Sequence, residues 1–398
     1  MSQDVLETLC DLVRLPSVNP MGRDLPPEVA WESRVTDYLQ ERFQQLELPW
    51  QRQTVAPGRD NILARLDGDP PREQGGSLLM FQAHQDTVPV DGMTIEPWAA
   101  EVRDGRVYGR GACDIKGGLA CMLTALAQLA ARRPPNRPTV LLACTVDEEY
   151  GFSGARKMVE LWQPSSRIVP RPPDAAIVAE PTLLDVVVSH KGTARWQILT
   201  RGRAAHSSQP DAGSNAIYAM APVLTALERY ARTEVPHLAN HPLLGHPTLS
   251  VGRIRGGISV NVVPDHCAIE LDRRLVPGED PRAAWQHVCD FLTTELPDLP
   301  LVFEEPYQSM PGLDGVRNRE LAQRVGRISQ ACGGPGRPIG VPYGTDAPAF
   351  AQTGVPTVVC GPGDIAQAHT VDEWIAIDQL HVGAEFYYRL AAEWQGTI

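Results

Sequence analysis

Residues 139–151 read TVLLACTVDEEYG. Apolar or small residues (Val140, Leu141, Leu142, Ala143, Cys144, Val146) run into Asp147, Glu148 and Glu149, and Tyr150, Gly151 and Gly154 then break the chain. A short continuous apolar run bounded by turn residues suits a strand buried on both faces, as in a parallel sheet. In open α/β sheets, chemistry sits just beyond the carboxyl ends of the strands. Two adjacent glutamates placed there could divide labour, one ligating a metal and the other moving protons. An isolated Glu-Glu pair is more often a solvated loop, so the decision rests on what other segments deliver.

Working outward, residues 77–83 (SLLMFQA) form an apolar strand that stops at His84-Gln85-Asp86. At a strand end, H-x-D lets an imidazole bind a metal while a carboxylate fixes its tautomer, although a lone histidine there is more often structural. Residues 175–179 (AAIVA) are a further buried strand, ending in Glu180-Pro181-Thr182. GRGACDIKGG presents Asp114 on a glycine-rich loop before a helix predicted over 119–131. The order is wrong for a phosphate loop, with no Lys-Ser/Thr following. His369 lies between a strand at 357–360 and a last amphipathic helix at 377–394. One strand end of this kind is noise, whereas several converging on one sheet edge describe a pocket.

The remaining segments frame these. Amphipathic helices are predicted at 3–15 and 28–48, a strand at 61–66, a polar turn at 68–76, a hairpin about Asp104-Gly105 and a helix at 154–161. After Leu184 the pattern changes to strands at 186–188, 193–200, 249–251, 259–262 and 267–274, with helices at 215–230 and 281–296. That order describes an α+β layer inserted into the first domain. A helix at 321–332 begins the return. The expected division is 1–185 with 305–398, and 186–304 as the insert.

Composition bounds the function. The chain has 398 residues, 43% hydrophobic and 21% charged, as in an ordinary globular protein. Its net charge of −12 disfavours nucleic acid and anionic membranes as partners. No apolar run approaches the ~20 residues of a membrane span, and the acidic N-terminus does not read as a signal peptide, so a cytoplasmic location is expected. Eight cysteines without a CxxC pair argue for reduced thiols and against a thiolate zinc site. Only three lysines (116, 157, 191) stand among 36 basic residues.

The candidate ligands are therefore His84, Asp114, Glu149, Glu180 and His369. Nitrogen and carboxylate donors without thiolate suit zinc or cobalt, and also manganese. With Asp114 shared, each of two metals would have one histidine and one further carboxylate. Two divalent ions, three carboxylates and one hydroxide would balance in charge.

The motifs AHQDTVP, WAAEVRDGRVYGRGACDIKGG, TVDEEYG, AEPT, HKG, AHSSQP, NVVPD, GTDAPAF and AHTVDEW run in order from Ala83 to Trp374. Together they resemble the dinuclear zinc amidohydrolase/exopeptidase family of acetylornithine deacetylase, succinyl-diaminopimelate desuccinylase, aminoacylase and carboxypeptidase G. The AEPT, HKG and AHSS segments resemble acetylornithine deacetylase most. The resemblance implies an α/β fold: a mixed-sheet catalytic domain with an inserted α+β lid that also forms a homodimer. It implies two Zn2+ ions, replaceable by Co2+: one held by His84 and Glu180, the other by Glu149 and His369, with Asp114 bridging and a cis peptide after it. Glu148 would be the general base, Asp86 would orient the site, and His206 would stabilise the oxyanion across the dimer. Asn261 and Arg274, and more weakly Lys191, Gly344 and Thr345, would contact the substrate, an N-acyl amino acid or short peptide. His237, His241 and His246 cluster in a Pro-rich loop read as surface.

Overall fold

The computed structural model describes residues 4–71 and 76–394. The opening stretch is strand β6 (Thr139–Thr145), and all seven of its residues are buried. Its neighbour β3 (Leu78–His84) is buried throughout and runs parallel to it, with His84 opposite Thr145. Leu79, Phe81 and Ala83 join Val140, Leu142 and Cys144 in one core cluster, while the alternate Leu78, Met80, Leu141 and Ala143 are equally buried outside it. Successive side chains leave a strand on opposite faces, so both faces are covered and the sequence shows no alternation.

These strands belong to an eight-stranded sheet: β1 (Trp50–Ala56), β2 (Arg59–Leu66), β6, β3, β7 (Ala175–Val178), β15 (Thr357–Val359), β8 (Val186–His190) and β14 (Pro338–Val341), in that order. Strands β6, β3, β7 and β15 are parallel, whereas β1, β2 and β8 pair antiparallel. The fold is thus α/β with a mixed sheet. Helix α3 (Lys116–Arg132) packs against α1 (Val5–Val13) and α10 (Ile377–Ala392) over the core cluster. A small sheet of β4 (Glu101–Arg103), β5 (Arg106–Tyr108) and β16 (Trp374–Ala376) contains the expected hairpin.

The second predicted helix is shorter than its periodicity suggests: α2 spans Ser33–Gln45 instead of 28–48. Residues 29–31 are taken by backbone pairing with Val18, and Trp31 sits at φ 68°. The first helix begins at Val5; Gln3 of its predicted span lies outside the described residues, as do 72–75 of the polar turn.

The chain divides into two units: residues 1–188, 315–339 and 345–398 form the first, and 189–314 with 340–344 form the second. The second runs past residue 304 because β13 (Gln308–Met310), like β12 (Leu301–Phe303) before it, pairs with β9 (Gly192–Arg201). Its sheet order is β10 (Thr248–Gly256), β11 (His266–Leu275), β9, β12. Helices α5 (Ala216–Thr233) and α7 (Pro281–Glu295) bury Met220, Val223, Leu227, Val288 and Leu292 with Trp196 and Ile269 of the sheet. Asn215 and Asp280 cap these helices through their side chains. Residues 259–262 do not form the predicted strand; Val262 makes only an isolated bridge, to His206. Among the described residues no helix is long and apolar enough to cross a membrane.

Candidate metal centre

Parallel register decides where the polar residues gather. Gln82 faces Ala143 and Val178, and Val178 faces Val359, so β3, β6, β7 and β15 end at one edge of the first unit. His84 is the last residue of β3; Glu148 and Glu149 follow β6, Glu180 follows β7, and His369 follows β15. Asp114 arrives on the loop before α3, and its peptide bond to Ile115 is cis.

The donors form two triads that share one carboxylate. His84, Asp114 and Glu180 each offer an atom within 4.8 Å of the others, and so do Asp114, Glu149 and His369. His84 Nε2 lies 3.2 Å from Asp114 Oδ1, and His369 Nε2 lies 3.2 Å from both Asp114 Oδ2 and Glu149 Oε2. Among the described residues, neither triad includes His237, His241 or His246.

These residues fit a metal on two counts. His84 Nδ1 lies 2.9 Å from the Asp86 carbonyl oxygen, which can only accept, so the ring proton belongs on Nδ1 and the Nε2 lone pair points at the triad. Glu149 Oε1 is buried without a hydrogen-bond partner, and an orphaned carboxylate oxygen calls for a cation. Electrostatics agree. Burial pushes the Glu148 and Glu180 carboxyls well above the usual range, and neighbouring carboxylates add to it. Burial opposes the charged form of His369, yet Glu149 and Asp114 outweigh it and carry the imidazole up to about 11. The cluster is short of positive charge.

Asp86 organises the glutamate pair. Its carboxylate accepts from the backbone N–H of Glu148 at 3.1 Å and of Glu149 at 3.2 Å, and from Asn19 Nδ2 at 2.9 Å. The same Asn19 amide donates to Asp147, which Arg59 also binds at 2.9 Å, and Arg59 forks onto the fully buried Glu32. Asp147 itself has φ 67°. Beneath the strand ends, Asp346 accepts from Thr145 Oγ1 at 2.7 Å and Gln82 Nε2 at 2.9 Å, and burial raises its carboxyl to about 7. Glu373, four residues after His369, accepts from the backbone of the Asp114 loop. Asp147, Asp346 and Glu373 lie inside motifs quoted above, beside the residues singled out there. Asn19, Glu32 and Arg59 carry no local signal, since their partners are far away in sequence.

The remaining candidates lie mostly in the second unit. His206 is exposed, and its Nδ1 accepts from the Ser208 backbone N–H at 3.2 Å, leaving the ring proton on Nε2 in the neutral form. Asn261 is brought beside it: the Ser207 N–H donates to the Asn261 carbonyl at 3.0 Å, and Asn261 Oδ1 accepts from Ser259 Oγ at 2.6 Å. Arg274 is engaged by Asp272, at 3.0 Å from Nε and 3.1 Å from Nη2, and Arg195 binds the same carboxylate. The buried Lys191 donates to the His246 carbonyl at 2.5 Å. Gly344 closes this unit; Thr345, in the first unit, is buried and accepts from the Ala347 N–H at 3.1 Å.

Acetylornithine deacetylase of Myxococcus xanthus is 33% identical over 307 residues, 77% of each chain. That of Photorhabdus laumondii is 32% identical over 379 residues, 93% of this chain and 92% of the enzyme. Among solved structures, an M20 family metallo-carboxypeptidase from Sulfolobus solfataricus superposes with a TM-score of 0.78 at 19% identity, covering 98% and 99% of the two chains. Human carnosine dipeptidase 1 gives 0.76 at 17% identity, covering 97% and 96%. At such identities these two speak for the fold alone. Residues 80–393 match peptidase family M20/M25/M40. The chain belongs to that family and is a metal-dependent hydrolase.

Proposed function

We propose that this enzyme hydrolyses the amide of an N-acyl amino acid, acting as an N-acetylornithine-like deacetylase. The observation that carries the reaction type is Glu148: a buried carboxylate of raised pKa, one residue from a candidate ligand and held by Asp86 through its backbone. The sequence likeness to acetylornithine deacetylases over most of the chain supports the substrate class.

His84 and Glu180 would hold one divalent ion, and Glu149 and His369 the other, with Asp114 shared. Bound zinc or cobalt would supply Lewis-acid polarisation of the carbonyl and a water of lowered pKa. Glu148 takes the proton from the attacking water and delivers it to the departing amine, a task suited to a carboxyl that burial raises above the usual carboxylate range. Asp86 keeps the Glu148–Glu149 backbone in place throughout. His206, with its proton on Nε2, donates to the oxyanion as the carbonyl turns tetrahedral. Asn261 and Arg274 bind near the substrate carboxylate, where the Arg274 fork must exchange part of its hold on Asp272. Lys191, Gly344 and Thr345 would line the same region.

A homodimer through the second unit completes the proposal, with His206 acting on the partner's site and the enzyme working in the cytoplasm. Its support is the outer edge of β10, which lacks a strand partner among the described residues, and the exposed Ile254, Ile258 and Val260 on or just after that strand.

The test is amine release from a panel of N-acyl amino acids and dipeptides, with zinc, cobalt and chelator arms. Chelator-sensitive release of ornithine is the expected result. Release only from succinylated substrates or peptides would replace the deacetylase reading with a desuccinylase or a carboxypeptidase/dipeptidase.

A further inference from the structure

We propose that Glu373 is the positioning residue that straps the Asp114 loop to the His369 segment and so keeps the two ligand triads in register. The inference rests on the metal-dependent reading above and extends it to a residue that touches neither metal nor substrate.

Glu373 is fully buried. Its Oε1 accepts from the backbone N–H of Cys113 at 2.9 Å and of Asp114 at 3.0 Å. Its Oε2 accepts from the Gly111 N–H at 3.1 Å and from Arg110 Nη1 at 2.6 Å. All four acceptor positions of the carboxylate are therefore spent on one five-residue stretch. Its carbonyl oxygen accepts from the Gly109 N–H at 3.0 Å, and the next residue, Trp374, pairs with Tyr108 in the small sheet.

Position gives these bonds their meaning. Asp114 belongs to both triads, and Glu373 fixes its backbone nitrogen. His369 stands four residues before Glu373 on the same segment, so displacing the strap moves a shared ligand and a terminal ligand relative to each other. A counterion for Arg110 would need only one carboxylate oxygen. Here three backbone N–H groups converge on the same side chain, making an anion nest with a protein carboxylate as its anion. An amide in its place would offer one acceptor oxygen and turn its NH2 toward donors, leaving buried N–H groups unpaired.

The experiment uses the full chain, stripped by chelator and titrated with Co2+ and Zn2+, reading binding isotherms and the visible Co2+ spectrum. Glu373→Gln is expected to weaken metal binding by about 10–100-fold, as losing a ligand's supporting partner does. The larger loss should fall on the equivalent that includes His369, with a changed Co2+ spectrum. Glu373→Gln/Arg110→Met serves where the single variant folds poorly, since it removes the unpaired buried charge and still leaves the N–H groups orphaned. Asp185→Asn is the control for stability alone: Asp185 is buried in an ion pair with Arg337, and its loss should lower the melting temperature with metal affinity unchanged. Wild-type affinity and spectrum in folded Glu373→Gln would overturn the proposal. If the wild type binds two metals yet releases no amine from the panel, the substrate reading falls and the strap stands. If it binds none, both fall.

Discussion

The strand-end cluster of the first unit and the His206 face of the second are held in opposite ways. Asp86, Asp114 and Glu373 each have several partners, most of them buried and drawn from distant parts of the chain. His206 and Asn261 are exposed and lean on neighbours two residues away or on one backbone bridge. Reaction chemistry needs charges held within a fraction of an ångström, which only a redundant buried network supplies. For the single-donor role proposed for His206, a reachable N–H suffices.

The largest effect should come from Glu148. Glu148→Gln is expected to lower kcat by about 10^2–10^4-fold. Metal content, measured on the same sample, should be unchanged. Normal turnover by a metal-loaded variant would remove Glu148 from the proton path. His206→Ala is expected to cost about 10^2–10^3-fold in kcat, with a smaller change in KM, the signature of a donor used in the transition state. Mixing it with Glu148→Gln sharpens the comparison: mixed dimers should recover activity if His206 serves the partner's site, and stay inactive if it serves its own.

Arg59 tests the redundancy of the first unit. It binds Glu32 and Asp147 and lies 4.4 Å over the Trp31 ring. Arg59→Met leaves buried carboxylates uncompensated and should destabilise the fold by about 3 kcal/mol in chemical denaturation. A loss below ~1 kcal/mol would show that Asn19 and the backbone suffice.

The smallest expected effect lies in the second unit and depends on pH. His190 is fully buried, and desolvation lowers its pKa to about 4, below the ordinary value of 6.5. The unfolded chain therefore takes up a proton first as pH falls. This contribution is complete above pH ~6.5 and is lost progressively down to pH ~4. Relative to His190→Gln, the wild type should lose about 2–3 kcal/mol between pH 7.5 and 4.5. Parallel pH profiles for the two proteins would show that water or a rearranged neighbour relieves the charged ring.

Much of this is legible in the sequence itself. The unbroken burial of β6 is written in VLLAC, and the five candidate ligands stand at strand ends or in loops that composition already marks. The misplaced strand at 259–262 and the overlong second helix have another origin: apolar spacing reports what is to be buried and is silent on which backbone groups a distant segment has claimed. Val18 took the amide and carbonyl groups around Trp31, and no periodicity could show it.

The same limit separates the ligands from their supports. A strand ending in His84, or a Glu-Glu pair before glycine, is a local pattern, and the sequence alone determines it. That Asn19 binds Asp86, that Arg59 meets Glu32 and Asp147, and that Glu373 caps the Asp114 loop are pairings across as many as 263 positions. Only the tertiary structure decides them, because a buried polar group's partner is whichever donor the packing brings within 3 Å.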